Sequence, residues 1–369
     1  MNKHQLIGAE VSLYTGKLRC YLQYKGIAFG DVLATREIYR DIIIPRTGVR
    51  YIPVLITDDG QALQDTTVII DALEQRYPQR GVYPTAPLQR LIAVLLETYA
   101  DEWLVMPAMH YRWSFAENRD FAIREFGRTS APDASAEEQW AIGEETSKPF
   151  ASALPKLGVN ADNSAAIETS YLALLKDLHH HFAHYPFLLG DKPCIGDFGL
   201  IGPLYAHLYR DPYSGRVLSE TAPQVEAWIQ RMLDPISHRH TAESDFLADD
   251  QLPNTLLPVL TRMFKEQGPV LLQTITQVKD WANNNAQAPL PRVIGECRFT
   301  VEGVAATRLT FPYMQWMWQR CADAYQQLNT NDRLRVDAWL SAVPNAVELL
   351  NTPIAQRVGR ENNRVVLGS

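Results

Sequence analysis

A run of small polar residues opens a basic segment near the start of the chain. The stretch SLYTGKLRCYL occupies residues 12–22 and places Ser12 and Thr15 just before Lys17 and Arg19. At the start of a helix, hydroxyl groups and backbone N–H groups without a helical partner can hold an anion. They can also stabilise a thiol that is becoming a thiolate. The stretch therefore predicts either such a site or a plain helix cap.

The first 80 or so residues alternate short strands and helices in an order that would position this stretch. Apolar runs, turn residues and helical spacing predict β-α-β-α-β-β-α. The predicted elements are a strand at 6–11, a helix at 17–25, a strand at 27–33, a helix at 36–44 halted by Pro45, a hairpin within YIPVLITDDGQALQ and a helix at 66–76. This order is that of a thioredoxin-like α/β domain.

From Pro87 onward the apolar spacing is helical. Helices are predicted at 88–113, 165–184, 197–209 and 223–233, and a helical hairpin breaks at Gly268-Pro269. Two strand-like runs flank Gly303, and an amphipathic helix follows in YMQWMWQRCADAYQQL. We predict three domains: an α/β domain at 1–84, an all-helical domain at 85–246, and a mostly helical extension with a short β-hairpin at 247–369. The extension is expected to pack on the helical domain.

Composition excludes several classes of function. The 369-residue chain is 46% hydrophobic and 21% charged and carries a net charge of −7, which argues against a nucleic-acid partner and against an anionic membrane surface. No apolar run is long enough for a transmembrane helix, and the first residues lack the pattern of a secretory signal. Four widely spaced cysteines predict reduced thiols in the cytoplasm. The histidines at 179–181 and 184 are expected on a solvated helix end, so no metal is predicted.

Four local patterns, taken in order, resemble the cytosolic glutathione transferases. SLYTGKLRCYL is similar to the helix start of serine-type and omega-like members, and YIPVL resembles the strand whose proline is cis in the family. LQDTTVIIDAL resembles the start of the next helix, and GDKPCIGDF resembles the motif that begins a buried helix of the second domain. The resemblance covers about residues 5–235. It implies a thioredoxin-like domain followed by an all-α transferase domain, and residues 247–369 extend beyond that fold.

The resemblance implies a glutathione site with glutathione as co-substrate. Ser12 would be catalytic, because its hydroxyl can donate to the sulfur and favour the thiolate. A hydrogen bond to a charged group is worth about 1.5–3 kcal/mol, which lowers a thiol pKa by roughly 1–2 units. The other residues implied to bind glutathione are Tyr14, Thr15, Arg50, Ile52, Pro53, Asp65 and Thr66.

Each of these residues has an expected partner on glutathione. The backbone of Ile52 would pair with the ligand cysteine like an added strand. Asp65 would bind the γ-glutamyl ammonium, Thr66 and the helix amides its carboxylate, and Arg50 the glycyl carboxylate. The alternatives are a structural turn at Pro53 and an ordinary helix cap at Asp65-Thr66. Tyr111 and Trp113 would line the pocket for a second, apolar substrate.

The implied function is a transferase that activates glutathione and conjugates it to a small apolar electrophile, as a homodimer with a role in detoxification. A non-enzymatic binding or interaction protein on the same fold is the first alternative. A glutathione-dependent reductase or lyase is the second, although omega-like relatives use a cysteine at the position of Ser12. In the second-domain motif Cys194 replaces the usual capping Ser or Thr, and Asp197 is expected to reach back to backbone N–H groups.

Overall fold

The computed structural model describes residues 3–234, 245–285 and 288–368. These residues divide into two compact units. The first contains residues 3–82, 108–153 and 200–234, and the second contains residues 83–107, 154–199, 245–285 and 288–368. Within the described ranges, no helix combines the length and the apolar character needed to cross a membrane.

The strands and helices of the described residues follow the sequence order closely. The strands are β1 His4–Gly8, β2 Phe29–Leu33, β3 Val54–Ile56, β4 Ala62–Gln64, β5 Gly295–Val301, β6 Val304–Thr310, β7 Val358–Glu361 and β8 Arg364–Leu367. The helices are α1 Leu13–Lys25, α2 Arg36–Ile38, α3 Ile44–Thr47, α4 Thr66–Arg76, α5 Pro87–Glu102, α6 Val105–Ser114, α7 Ala116–Ser130, α8 Ala136–Ala151, α9 Ser164–Phe182, α10 Ile195–Ala206, α11 Pro212–Thr221, α12 Pro223–Leu233, α13 Leu257–Glu266, α14 Gly268–Asn284, α15 Pro312–Gln326, α16 Thr330–Leu340 and α17 Ala346–Leu350.

The first unit is built around a four-stranded sheet with strand order β2-β1-β3-β4. β1 and β2 are parallel, whereas β3 is antiparallel to both β1 and β4. Ile7, Ile43 and Val54 form the centre of an apolar cluster on this sheet, and each is fully buried. With the mostly helical remainder of the chain, this arrangement confirms the predicted thioredoxin-like fold class.

The structure differs from the sequence predictions of local structure at several points. Pro45 does not halt the helix before it, because α3 begins at Ile44 and accommodates the proline in its first turn, where no backbone N–H is needed. The helix predicted at 88–113 is two helices, α5 and α6. The hairpin β7–β8 was not predicted, although Asn362 and Asn363 both have positive φ, which is typical of a two-residue hairpin turn.

In the second unit, elements from the C-terminal part of the chain pack against α5. Cys321 of α15 lies 3.4 Å from the carbonyl oxygen of Val94 and 3.2 Å from the hydroxyl of Thr98. Trp103, at the end of α5, donates its indole N–H to Glu266 of α13 at 3.0 Å. Residues after 247 therefore share a core with helices of the predicted middle domain, while the predicted boundaries at 84/85 and 246/247 stay predictions.

Asp197 makes the backbone contacts expected from the sequence. Its carboxylate accepts hydrogen bonds from the N–H groups of Cys194 at 2.9 Å and Leu188 at 3.2 Å. Because the thiol of Cys194 is a weak hydrogen-bond acceptor, the carboxylate of Asp197 provides the side-chain hydrogen bonds at the start of α10.

Gly8 ends β1 against the first turn of α1, and a side chain there would have no room. A Cβ on Gly8 would lie 2.3 Å from Cγ2 of Thr15, whereas a Cβ on Gly30 of β2 would have no neighbour within 4 Å. We expect Gly8→Ala to lower the free energy of unfolding by about 1–3 kcal/mol through overpacking. The matched variant Gly30→Ala should leave it unchanged or slightly higher.

Urea unfolding of the full chain, followed by circular dichroism, measures both variants. Adding Thr15→Ala to Gly8→Ala should recover part of the loss, because it removes the clashing atoms. Equal unfolding midpoints for the two glycine variants would contradict the close packing of Gly8.

Candidate functional site

The register of the sheet brings three separate stretches of sequence to one edge. Ile7 of β1 pairs with Val54 of β3, and Val54 in turn pairs with Gln64 of β4. The end of β1, the start of β3 and the end of β4 therefore lie in one row. We define the edge site as the residues that continue from this row, which are residues 9–12, 52–53 and 65–66.

Ser12 is the N-cap of α1. It has extended backbone angles, and its side-chain oxygen accepts a hydrogen bond from the N–H of Thr15 at 3.3 Å. The side chain is half-buried. A hydroxyl has one hydrogen to donate and two lone pairs to accept with, so the cap uses one lone pair and leaves the donor function of Ser12 in place. The two readings of Ser12 from the sequence, cap and site, are thus compatible.

The two neighbours of Ser12 that were predicted to bind glutathione have different environments. Thr15 is fully buried, and its hydroxyl accepts a hydrogen bond from the N–H of Ala9 at 3.4 Å. Its side chain therefore packs inside the unit and braces the loop before Ser12. Tyr14, on the first turn of α1, is half-buried.

The Ile52–Pro53 peptide bond is cis, as the resemblance implies. Pro53 is buried and directly precedes β3, while Ile52 is half-buried. Arg50 is exposed, and the side chain of Tyr51 beside it is 40% exposed. Of this stretch, Ile52 belongs to the edge site through its backbone, and Arg50 lies on the surface just outside it.

Asp65 caps α4 with its carboxylate. Oδ1 accepts from the N–H of Thr67 at 3.1 Å and from the N–H of Val68 at 3.4 Å. Its backbone φ is 83°, in a region that residues other than glycine rarely adopt. Such strain is typical of functional positions. Thr66 follows as the first helical residue and is 5% exposed.

Two helix N-termini meet the edge site. α1 begins after Ser12 and α4 begins after Asp65, and neither helix has an acidic residue in its first turn. The N-terminus of a helix carries a partial positive charge and N–H groups that point outward. The edge site is therefore suited to the negatively charged groups of a ligand, with the Asp65 carboxylate as a nearby partner for a cation.

Sequence reasoning missed two arginines that contact the loop before Ser12. Arg112, 2% exposed, donates to the carbonyl oxygen of Val11 at 2.7 Å. Arg210 donates to the carbonyl oxygen of Glu10 at 2.8 Å. The usable signal was Arg112 itself, a charged residue in the largely apolar and aromatic run WLVMPAMHYRWSF, because arginine is buried only when it has partners.

Tyr111 and Trp113, predicted to line a pocket for the second substrate, lie in a packed aromatic cluster. Tyr111 is 2% exposed and stacks on Phe115 with the ring centroids 5.2 Å apart. Trp113 is 6% exposed and lies 6.0 Å from the ring of Phe126. Neither side chain is open to a ligand in this conformation.

The described residues contain no group of three or more His, Cys, Asp or Glu side chains arranged to hold a metal ion. His180 and His184 share a face of α9, with ring centroids 4.7 Å apart. The prediction of a solvated helix end was wrong for His181, which is fully buried and lies 2.8 Å from the hydroxyl of Thr255.

Comparison with known proteins gives the edge site a context. Residues 6–81 match the family described as Glutathione S-transferase, N-terminal domain, and this range contains all three stretches of the edge site. No curated protein sequence matches the chain. The first part of the chain is therefore similar in sequence to the N-terminal domain of glutathione S-transferases.

Several solved structures are similar to the chain. A glutathione S-transferase from Rhodospirillum rubrum F11 is 19% identical, with 68% of this chain and 96% of that chain covered and a TM-score of 0.41. A glutathione S-transferase from Methylobacterium radiotolerans, in complex with glutathione sulfonate, is 17% identical, with 68% and 100% covered and a TM-score of 0.41. A rice glutathione S-transferase in complex with glutathione is 20% identical, with 66% and 96% covered and a TM-score of 0.39.

Asp65 combines a side-chain cap, which needs an acceptor, with a positive φ, which favours glycine. Asp65→Ala removes the cap and keeps a Cβ at the strained φ, so we expect it to lower the free energy of unfolding by about 1–2 kcal/mol. Asp65→Gly also removes the carboxylate, but glycine tolerates both the cap position and the positive φ, so its cost should be a few tenths of a kcal/mol. Urea unfolding measures the difference, and equal losses for Ala and Gly would contradict the strain at Asp65.

Proposed function

We propose that the protein is a glutathione-dependent transferase that conjugates glutathione to a small apolar electrophile. The observation that carries this proposal is the row Ile7–Val54–Gln64, which brings residues 9–12, 52–53 and 65–66 to one edge of the sheet. The match of residues 6–81 to the glutathione S-transferase N-terminal domain supports glutathione as the ligand.

Glutathione has one thiol, one ammonium and two carboxylates. In the proposed site the ammonium has an acidic partner, and each carboxylate has a partner that is positively charged or donates hydrogen bonds. The backbone of Ile52 pairs with the central cysteine. Asp65 binds the γ-glutamyl ammonium. Thr66, through its hydroxyl and its backbone N–H, binds the adjacent carboxylate, since the N–H groups of Thr67 and Val68 already donate to Asp65. Arg50, exposed beside the edge site, binds the glycyl carboxylate. Tyr14 is proposed as a flanking contact on the first turn of α1.

The chemical step requires a thiolate. The glutathione thiol loses its proton to solvent, the Ser12 hydroxyl donates to the resulting sulfur anion, and the sulfur electron pair attacks the electrophilic carbon. A C–S bond forms, and the electrons of the breaking bond leave with the leaving group or move onto the electrophile. The N-terminus of α1 favours the same negative charge.

The second substrate is proposed to be apolar on the ground of the resemblance. Because Tyr111 and Trp113 are buried, we propose that they support the pocket wall from behind and that other side chains touch the electrophile. The burial of Thr15 likewise gives it a bracing role in place of the predicted direct contact.

A glutathione-binding protein without transferase activity is the second candidate. It is favoured by the burial of Tyr111 and Trp113, the two side chains that were predicted to line a pocket for the electrophile. Calorimetry that shows glutathione binding, together with no turnover of standard electrophiles, would select this candidate.

We propose a cytoplasmic location. None of the four cysteines forms a disulfide and all are buried, which is consistent with a reducing compartment.

Three substitutions of Ser12 separate the cap from the chemistry. Ser12→Ala removes both functions, and we expect kcat to fall about 10- to 100-fold because a hydrogen bond to the thiolate is lost. The KM for glutathione should change less, because the bond is strongest to the thiolate. Ser12→Asp keeps an acceptor for the cap but has no hydrogen to donate, so it should keep the stability and lose the activity.

Ser12→Thr retains both functions and serves as the matched control. Steady-state kinetics with a chromogenic aryl halide and the melting temperature are measured for each variant. Wild-type activity in Ser12→Asp would remove Ser12 from the chemistry, and calorimetry without glutathione binding to the wild type at millimolar concentration would overturn the proposed function.

We further propose a homodimer, by analogy with transferases of this fold, which usually pair the first domain of one subunit with the second domain of the other. Light scattering at micromolar concentration should give twice the 41.8 kDa mass of one chain. The mass of a single chain would contradict the dimer without touching the proposed glutathione site.

A further inference from the structure

The loop that leads to Ser12 has each of its carbonyl groups held by a separate donor. The carbonyl oxygen of Ala9 accepts from the N–H of Ser12 at 3.1 Å. The next one, on Glu10, accepts from Nη1 of Arg210 at 2.8 Å, and that of Val11 accepts from Nη1 of Arg112 at 2.7 Å. Two of the three donors come from parts of the chain more than 95 residues away in sequence.

Every N–H group of the Arg112 guanidinium donates a hydrogen bond, and together these bonds fix the side chain. Besides Val11, it donates to both carboxylate oxygens of Asp211 at 2.7 Å, to the carbonyl oxygen of Ala206 and to Nε2 of His207 at 2.9 Å. Burial lowers the pKa of His207 well below its usual value, and the charge of Arg112 lowers it further, so the ring is neutral and accepts. A guanidinium with all five N–H groups bound in a buried setting has one orientation.

Arg210, which donates to the loop at Glu10, also belongs to a second, partly exposed ion pair. Its Nη2 lies 2.8 Å from Glu125, and Glu125 also pairs with Arg128 at 3.0 Å. Burial raises the pKa of Glu125, but the hydrogen bonds from Arg128 and Arg210 outweigh burial and leave the pKa below its usual value. Glu125 therefore stays ionised and anchors Arg210, which carries the contact to Glu10.

We infer that Arg112 and Arg210 are positioning residues for Ser12. By holding the carbonyls of Glu10 and Val11, they fix the peptide planes that precede Ser12 and so determine where its hydroxyl lies. This inference rests on the proposed function, because it gives the two arginines a part in the same reaction. In the proposed reaction neither arginine side chain touches the glutathione thiol, and both act through the backbone of the loop.

Arg128 offers a matched control for Arg210. Both arginines pair with Glu125, but the loop carbonyl of Glu10 accepts from Arg210. The variants are therefore Arg210→Met and Arg128→Met, each in the full chain. The readouts are kcat and KM for glutathione, the pKa of the bound glutathione thiol from its ultraviolet absorbance, and backbone hydrogen exchange of Ser12, Thr15 and neighbouring residues.

A displaced catalytic group costs up to about 100-fold in rate for an error of about 1 Å. We expect Arg210→Met to lower kcat about 10-fold, to raise the pKa of the bound thiol, and to speed hydrogen exchange at Ser12. The KM for glutathione should stay nearly constant, because Ile52, Asp65 and Thr66 are untouched. Arg128→Met should behave as wild type in all four measurements.

Conservative variants keep the inference testable if a methionine variant fails to fold. Arg210→Lys retains a donor for Glu10 and should recover most of the activity. Arg112→Lys cannot reproduce the two-oxygen contact with Asp211 and the hydrogen bond to Val11 together. Even when it folds, it should therefore show a raised pKa of the bound thiol and faster hydrogen exchange at Ser12. Equal kinetics, thiol pKa and exchange rates for Arg210→Met and Arg128→Met would overturn the inference.

The exchange measurement does not need glutathione, so it separates the two proposals. If the wild type binds no glutathione but Arg210→Met still loosens residues 9–12 and Arg128→Met does not, the proposed function fails and the positioning of the loop stands. If glutathione binds and turns over but exchange at Ser12 is the same in both variants, the proposed function stands and the positioning role is wrong.

Discussion

The register of four short strands is the constraint on which the edge site depends. Ile7 and Val54 are fully buried and paired with each other, and Gln64 is the next residue in the same row. Both faces of β3 are buried, so a shift of one residue would exchange the side chains packed on the two faces, and the close packing there fixes the register. Once the register is fixed, the loop after β1, the turn before β3 and the helix start after β4 meet at one edge. The site therefore follows from the packing of apolar residues that take no part in its chemistry.

The same polar groups cap the helices and face the edge site, and this double use explains why cap and site are so hard to tell apart in a sequence. Ser12 accepts one hydrogen bond with its oxygen, and its hydrogen is chemically independent of that bond. Oδ1 of Asp65 accepts from the N–H groups of Thr67 and Val68, and a carboxylate offers about four acceptor positions in all. The cap orients each side chain, and the ordered side chain is then a better partner for a ligand, because less conformational entropy is lost on binding.

Some local signals, such as the cap at Asp65, were read correctly from the sequence, whereas others, such as Pro45 and the Asn362-Asn363 turn, were not. Signals that depend on distant partners were missed. The bounds of α4 follow from the cap at Asp65 and the helical spacing after it, and the structure has the same bounds. The start of α1 was placed four residues late, because Tyr14, Thr15 and Gly16 are poor helix formers and their turn is held by the Ser12 cap and packing on Gly8. The break between α5 and α6 falls at Trp103 and Leu104, and the hydrogen-bond partner of Trp103, Glu266, is 163 residues away in sequence. Arg112 was overlooked for the same reason.

The buried ion pair of Arg112 and Asp211 orients the guanidinium of Arg112 and adds little to the free energy of unfolding. The side chains are 2% and 0% exposed, so each lost its hydration on folding, and such losses commonly equal the attraction that a buried pair regains. An apolar pair of similar volume would fill the same space at no greater cost, but it could not hold the carbonyl of Val11. The contacts of Arg19 with Glu10 and Asp31 are more exposed and fix no backbone group of the loop, so the same reasoning gives them little weight. Only a charged residue with several donors in a fixed plane can hold a carboxylate and a backbone carbonyl together, and arginine is the residue that has them.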